Sequence, residues 1–187
     1  MTMTKDTGVD IKDSSLVNRN ILFAISGGIA AIESVKIARE LRRYQASVTI
    51  VMSKEAEKII TPLAISWASG TEVLSDWSPK MQQLDIYDAI LVAPATRNTI
   101  SKHIHGIIDS PMMMALSAAR GNNTPILFVP SMHKDLFDDP VTSDLISSIL
   151  SEGNLILVED AQEGKIKQPN HIQIVAELCN IINNKLP

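Results

Sequence analysis

Residues able to do chemistry fall in three short runs, each behind an apolar stretch. Ser26-Gly27-Gly28-Ile29-Ala30-Ala31 follows Ile21–Ile25 and opens an amphipathic segment. At a strand, glycine turn and helix start, backbone N–H groups and the positive end of a helix dipole can face a phosphate. The run has neither G-x-G-x-x-G spacing nor the lysine of a P-loop, so a strand-to-helix turn without a ligand explains it equally well. The second run, Ala93-Pro94-Ala95-Thr96-Arg97-Asn98-Thr99, follows Ala89–Val92, and the third, Pro130-Ser131-Met132-His133, follows Ile126–Val129. Hydroxyls, an amide and an imidazole suit an uncharged ring system with a phosphate tail. No paired carboxylates and no G-x-S-x-G elbow accompany them, which speaks against glycosidase and serine hydrolase chemistry. The histidines His103, His105, His133 and His171 are scattered. No metal site is expected, because His103 and His105, two apart on a predicted helix, diverge.

The elements that must hold these runs alternate. Strands are expected at 21–25, 46–52, 89–92, 126–129 and 155–158. Helices are expected from Ile29 (with Ala31, Val35, Ala38 and Leu41 on one face) and at 54–60, 62–69, 99–107, 111–119, 143–150 and 171–183. Ser53 stands at the N-cap of the helix expected at 54–60. Residues 70–83 show no clear period, and 164–170 reads as a polar loop. Alternation of this kind implies an α/β three-layer sandwich, a Rossmann-like parallel sheet with helices on both faces. Ligands in such folds bind outside the carboxyl ends of the strands, where the three runs lie.

Composition sets the outer limits. The 187 residues are 45% hydrophobic with a formal net charge of −4. That length suits a single domain, taken as 20–187 behind a disordered leader of residues 1–19. The charge lacks the basic excess of a nucleic-acid binder. No apolar run reaches the ~20 residues of a bilayer span, and the polar start lacks a secretory signal's core, so a cytoplasmic protein without membrane or nucleic-acid partners is expected. Cys179 is expected as a buried small hydrophobe, and Met112-Met113-Met114 as helix packing at a subunit contact.

With these residues in place, the chain resembles the flavin-containing cysteine decarboxylase family, most closely its archaeal-type phosphopantothenoylcysteine decarboxylase domains. The likeness rests on Ser26–Ala31, Ser53, the run Ala93–Lys102, Gly106, Asp109, Pro130–His133 and Glu163-Gly164-Lys165, and covers about residues 18 to 185. It implies FMN held at a trimer interface, with Ser26, Gly27, Gly28, Ser53, Thr96, Asn98 and Thr99 as cofactor contacts. It also implies a small-molecule substrate whose cysteinyl side chain is oxidised to a thioaldehyde-like species before its carboxylate leaves. His133 takes the place of the residue that holds that carboxylate, with helix capping as its structural alternative. Met132 and Lys165 are further substrate contacts, and Arg97, where relatives carry a small residue, offers either a charge to the substrate or a solvated side chain. Two departures stand out: Lys80 occupies the position of the usual catalytic histidine, and Val158 that of a cysteine found in bacterial and eukaryotic members. Lys80 and His133 are thus the catalytic candidates. The loss of the histidine keeps open an alternative, an FMN-dependent redox or flavin-modifying enzyme, or a flavin carrier, on the same scaffold.

Overall fold

The computed structural model describes residues 8–78, 86–159 and 163–184. Six strands form one parallel sheet: β1 (Asn20–Ile25), β2 (Ser47–Met52), β3 (Val73–Leu74), β4 (Ala89–Ala95), β5 (Ile126–Pro130) and, after the short β6 (Met132–His133), β7 (Leu155–Ile156). Their order is β3-β2-β1-β4-β5-β7. The helices are α1 (Ser34–Arg43), α2 (Lys54–Glu57), α3 (Pro62–Ser69), α4 (Arg97–Ile104), α5 (Pro111–Gly121), α6 (Lys134–Phe137), α7 (Pro140–Ser151) and α8 (His171–Asn184). A last strand, β8 (Lys165–Ile166), pairs antiparallel with β6, outside the main sheet.

Side-chain alternation along β1 separates the two cores. Ile21, Phe23 and Ile25 join Ile37 and Leu41 of α1, Ile65 of α3 and Leu178 of α8. Leu22 and Ala24 join Ile100 of α4, Met112 and Leu116 of α5, and Ile149 of α7. Both faces of the sheet are covered, as a parallel sheet of near-continuous apolar strands requires. The strand order reverses direction between β1 and β4, so the ends of these two strands flank the crevice where such sheets bind ligands.

Several boundaries differ from the sequence reading. The first helix begins at Ser34, because Gly28 offers no side-chain cap and Ile29–Glu33 forms a tighter 3₁₀ turn. Strand β4 continues through the cis Ala93–Pro94 peptide to Ala95. Helix α2 stops at Glu57, α4 starts two residues early, α7 starts at Pro140 behind Asp139, and Val73–Leu74 adds an edge strand that no periodicity signalled. The second half of the expected leader is packed rather than disordered. Leu16 is fully buried, Lys12 and Asp13 donate backbone hydrogen bonds to the Arg43 carbonyl, and the Lys12 ammonium lies 2.8 Å from buried Glu40. Cys179 is buried as expected, and burial, aided by the Asp13 carboxylate, pushes its thiol up to about 11. Among the described residues no helix is long and apolar enough to cross a membrane.

Candidate functional site

Ser26 ties the two central strand ends together. Its buried hydroxyl donates to the Pro94 carbonyl at 2.7 Å and accepts from the Thr96 N–H at 3.0 Å. This side chain thus brackets the ends of β1 and β4. Thr96 is set by that bracket as the N-cap of α4: its hydroxyl accepts from the Thr99 N–H at 3.3 Å and lies 3.0 Å from the Thr99 hydroxyl. Ser53 caps α2 in the same way, accepting from Ala56 N–H at 3.1 Å. A capping hydroxyl accepts from the helix and keeps its own proton to donate elsewhere.

The two glycines have different tasks. A Cβ on Gly27 would lie 2.2 Å from Glu55 Cβ and 2.9 Å from its carbonyl carbon, so the absent side chain admits α2. A Cβ on Gly28 meets nothing nearer than Thr96 Cγ2 at 3.4 Å, and its φ of −119° suits any residue. Of the two glycines, only Gly27 is required by packing within this chain.

Three depressions run along this edge. A cleft of about 380 Å³ is lined by Gly27, Ser53, Thr96, Asn98 and Thr99, together with Lys54, Lys102, Ser110 and the apolar Met52, Met112 and Met113. Five of the seven cofactor candidates meet here, while Ser26 and Gly28 stand behind it. Met112 and Met113 are buried in this chain's own core as helix packing. Lys54 pairs with Asp76 at 3.2 Å and Lys102 with Asp109 at 2.6 Å, so both ammonium groups are held at the cleft. A second depression of about 530 Å³ shares Thr96 and Asn98 and adds Arg97, Ser131 and Met132. A third, of about 550 Å³, shares Ser131 and Met132 and adds His133, Lys165, Ile29 and Ile32.

The β6–β8 ribbon sets His133 opposite Lys165 and Met132 opposite Ile166, bringing together two loops that are more than thirty residues apart in sequence. His133 also caps α6, its Nδ1 accepting from the Asp135 N–H at 3.5 Å. The same Nδ1 lies 3.4 Å from the Asp135 carboxylate. Arg97 lines the second depression and is also tied down within the fold. Its Nε donates to the Thr142 hydroxyl at 2.9 Å and one Nη to Asp139 at 2.6 Å, which fastens α4 to the start of α7. Lys80 lies outside the described residues.

Sequence reasoning missed a buried polar group at the opposite end of α4. His103, fully buried, places Nε2 3.3 Å from Glu152, and Arg120 reaches the same carboxylate at 3.0 Å. Burial pushes the imidazole's pKa down, the Arg120 charge adds to this, and Glu152 opposes it. Apolar neighbours at Ile100 and Ile104 were the available signal that His103 faces inward.

Residues 10–183 match the family model described as Flavoprotein, and the chain belongs to that family. The coenzyme A biosynthesis bifunctional protein CoaBC of Thermococcus kodakarensis is 36% identical over 181 residues, covering 93% of this chain. The chain spans only 45% of that relative's length. The corresponding protein of Methanocaldococcus jannaschii is 32% identical over 179 residues, 94% of this chain and 44% of its own length. In fold, the chain matches the FMN binding protein AtHal3 with a TM-score of 0.79 at 17% identity, covering 90% of this chain and 99% of that one. The FMN-dependent cysteine decarboxylase SpaF matches with a TM-score of 0.78 at 18% identity, covering 90% and 98%.

Proposed function

We propose that this chain is an FMN-dependent decarboxylase of a cysteine-containing substrate such as phosphopantothenoylcysteine, working in the cytoplasm as a homotrimer or a multiple of it. The observation that carries this reading is the continuity of the three depressions through Thr96, Asn98, Ser131 and Met132, which sets a cofactor-sized cleft beside a pocket holding His133 and Lys165. The donor set of the cleft fits FMN: hydroxyls at Ser53, Thr96 and Thr99, the Asn98 amide and the ammonium groups of Lys54 and Lys102 suit a phosphate and a polar ring edge. Met52, Met112 and Met113 supply apolar, polarisable surface for the ring. When bound, FMN supplies the two-electron oxidation that makes the substrate carboxylate a good leaving group.

The chain's own residues position the substrate. His133 donates from Nε2 to a carboxylate oxygen, and Lys165, opposite it on the ribbon, places an ammonium beside the same group. Lys80 is proposed as a further cation for that carboxylate. Met132 packs against the substrate's apolar portion. Ile29 and Ile32, 73% and 51% exposed on one subunit, support assembly, because a neighbouring copy would cover them beside the pocket.

The purified protein is expected to be yellow, and denaturation should release its flavin as free FMN, measured by visible absorbance and chromatography. A colourless protein that takes up no added FMN contradicts the reading.

A further inference from the structure

We propose that Arg97 is a specificity-determining residue that binds the substrate's phosphate, at the end remote from the cysteinyl group, an assignment that rests on the decarboxylase reading above. The guanidinium is held from behind in one orientation. Its Nε donates to the Thr142 hydroxyl at 2.9 Å and its Nη2 to Asp139 at 2.6 Å. Both partners are fixed in turn: the Thr142 hydroxyl donates to the Leu136 carbonyl, and the other Asp139 oxygen accepts from the Val141 N–H at 3.0 Å, capping α7. Nη1 donates to no group of the described residues and stays accessible. The side chain, 31% exposed, lines the depression of about 530 Å³. A planar fork fixed on two sides, with its remaining amino group free, has little freedom left to lose when an anion binds.

The rest of this depression suits a phosphate. Asn98, Ser101 and Ser131 also line it, and their side chains donate to no group of the described residues. No carboxylate lines it, whereas Glu55, Asp76 and Asp109 line the first cleft and Glu33 the third depression. A phosphate monoester carries nearly two negative charges near neutral pH and several acceptor oxygens. Acidic walls repel it, and a guanidinium surrounded by neutral donors matches it. The substrate's carboxylate is already assigned to His133 and Lys165 in the third depression, which shares Ser131 and Met132 with the second. A substrate laid across those shared residues carries its far end, the phosphate, to Arg97.

The test is calorimetric binding of two inert ligands to the flavin-loaded protein: phosphopantothenoylserine, in which oxygen replaces the cysteinyl sulfur, and the same molecule without its phosphate. Wild type is expected to bind the phosphorylated form about thirtyfold more tightly, the scale of a charge-assisted hydrogen bond. Arg97→Gln should retain FMN, abolish that preference and leave the affinity of the unphosphorylated ligand within about twofold, whereas loss of a purely structural contact would weaken both ligands alike. Ser101→Ala, which removes no hydrogen bond of the described fold, should narrow the preference about threefold. Equal affinity of wild type for the two ligands overturns the assignment and leaves the decarboxylase reading intact. So does an Arg97→Gln or Ser101→Ala protein that keeps the full preference, or an Arg97→Gln protein that loses FMN or weakens both ligands alike. A flavin-loaded wild type that binds neither ligand overturns the substrate reading and the role of Arg97 with it.

Discussion

At Gly27 the packing is tight enough to make substitution by alanine informative. The added methyl would sit 2.2 Å from Glu55 Cβ with backbone close behind, so α2 must shift. Gly27→Ala should lower stability by about 1–3 kcal/mol, the usual cost of overpacking, and should weaken flavin binding through the displaced Ser53. Gly28→Ala, whose methyl meets Thr96 Cγ2 at 3.4 Å, should change stability by less than about 0.5 kcal/mol. Thermal melts and flavin titration of the two variants check both statements. Ser26→Ala should cost about 1–3 kcal/mol, because the Thr96 N–H loses its acceptor in a buried setting. The residue types at this edge were legible in the sequence, since glycines, hydroxyls and an amide after apolar runs point to strand ends. Which glycine is sterically required was not, because Glu55 reaches Gly27 only through the placement of α2. Arg97 shows the same limit: its partners Asp139 and Thr142 lie more than forty residues away.

At the scale of elements, α4 joins the two chemically distinct ends of the fold. Its first turn carries Thr96 and Thr99 at the cleft, and its last carries His103 beside Glu152 and Arg120. A buried imidazole with a lowered pKa is favoured neutral in the fold, so between its folded pKa and the ordinary value of 6.5 the unfolded chain binds more protons. Stability should therefore be fully present above about pH 6.5 and decline as pH falls below it. Urea unfolding at pH 7.5 and 5.5 should show this loss in wild type and a smaller one in His103→Gln. Helix existence and face were largely readable here from the apolar period. The start was read two residues late because Thr96, in the sequence one hydroxyl among several, becomes a cap only when Ser26 holds its N–H. Strand β3, two residues long, is defined by pairing with β2, a non-local contact that local pattern cannot reveal.

For the whole molecule, the alternation of strands and helices was sufficient to give the parallel three-layer sandwich, but not the packing of residues 8–19 against it. A single Leu16 in a polar segment gave no periodic signal, and Glu40 is buried against Lys12 and Arg43. Burial alone would push the Glu40 carboxyl up, and the hydrogen bonds from Lys12 and Arg43 outweigh it and hold it below its usual range. The exposed Ile29 and Ile32 beside the pocket lead to an assembly prediction: sedimentation of the flavin-loaded protein should give a trimer or a multiple of it, and a stable loaded monomer would contradict this. The most direct test of the proposed chemistry is single-turnover release of carbon dioxide from phosphopantothenoylcysteine by the flavin-loaded protein. Wild type should release it and His133→Ala should be slower on the order of a hundredfold, the scale of one well-placed catalytic group. A wild type that binds FMN and the substrate yet releases no carbon dioxide would contradict the account.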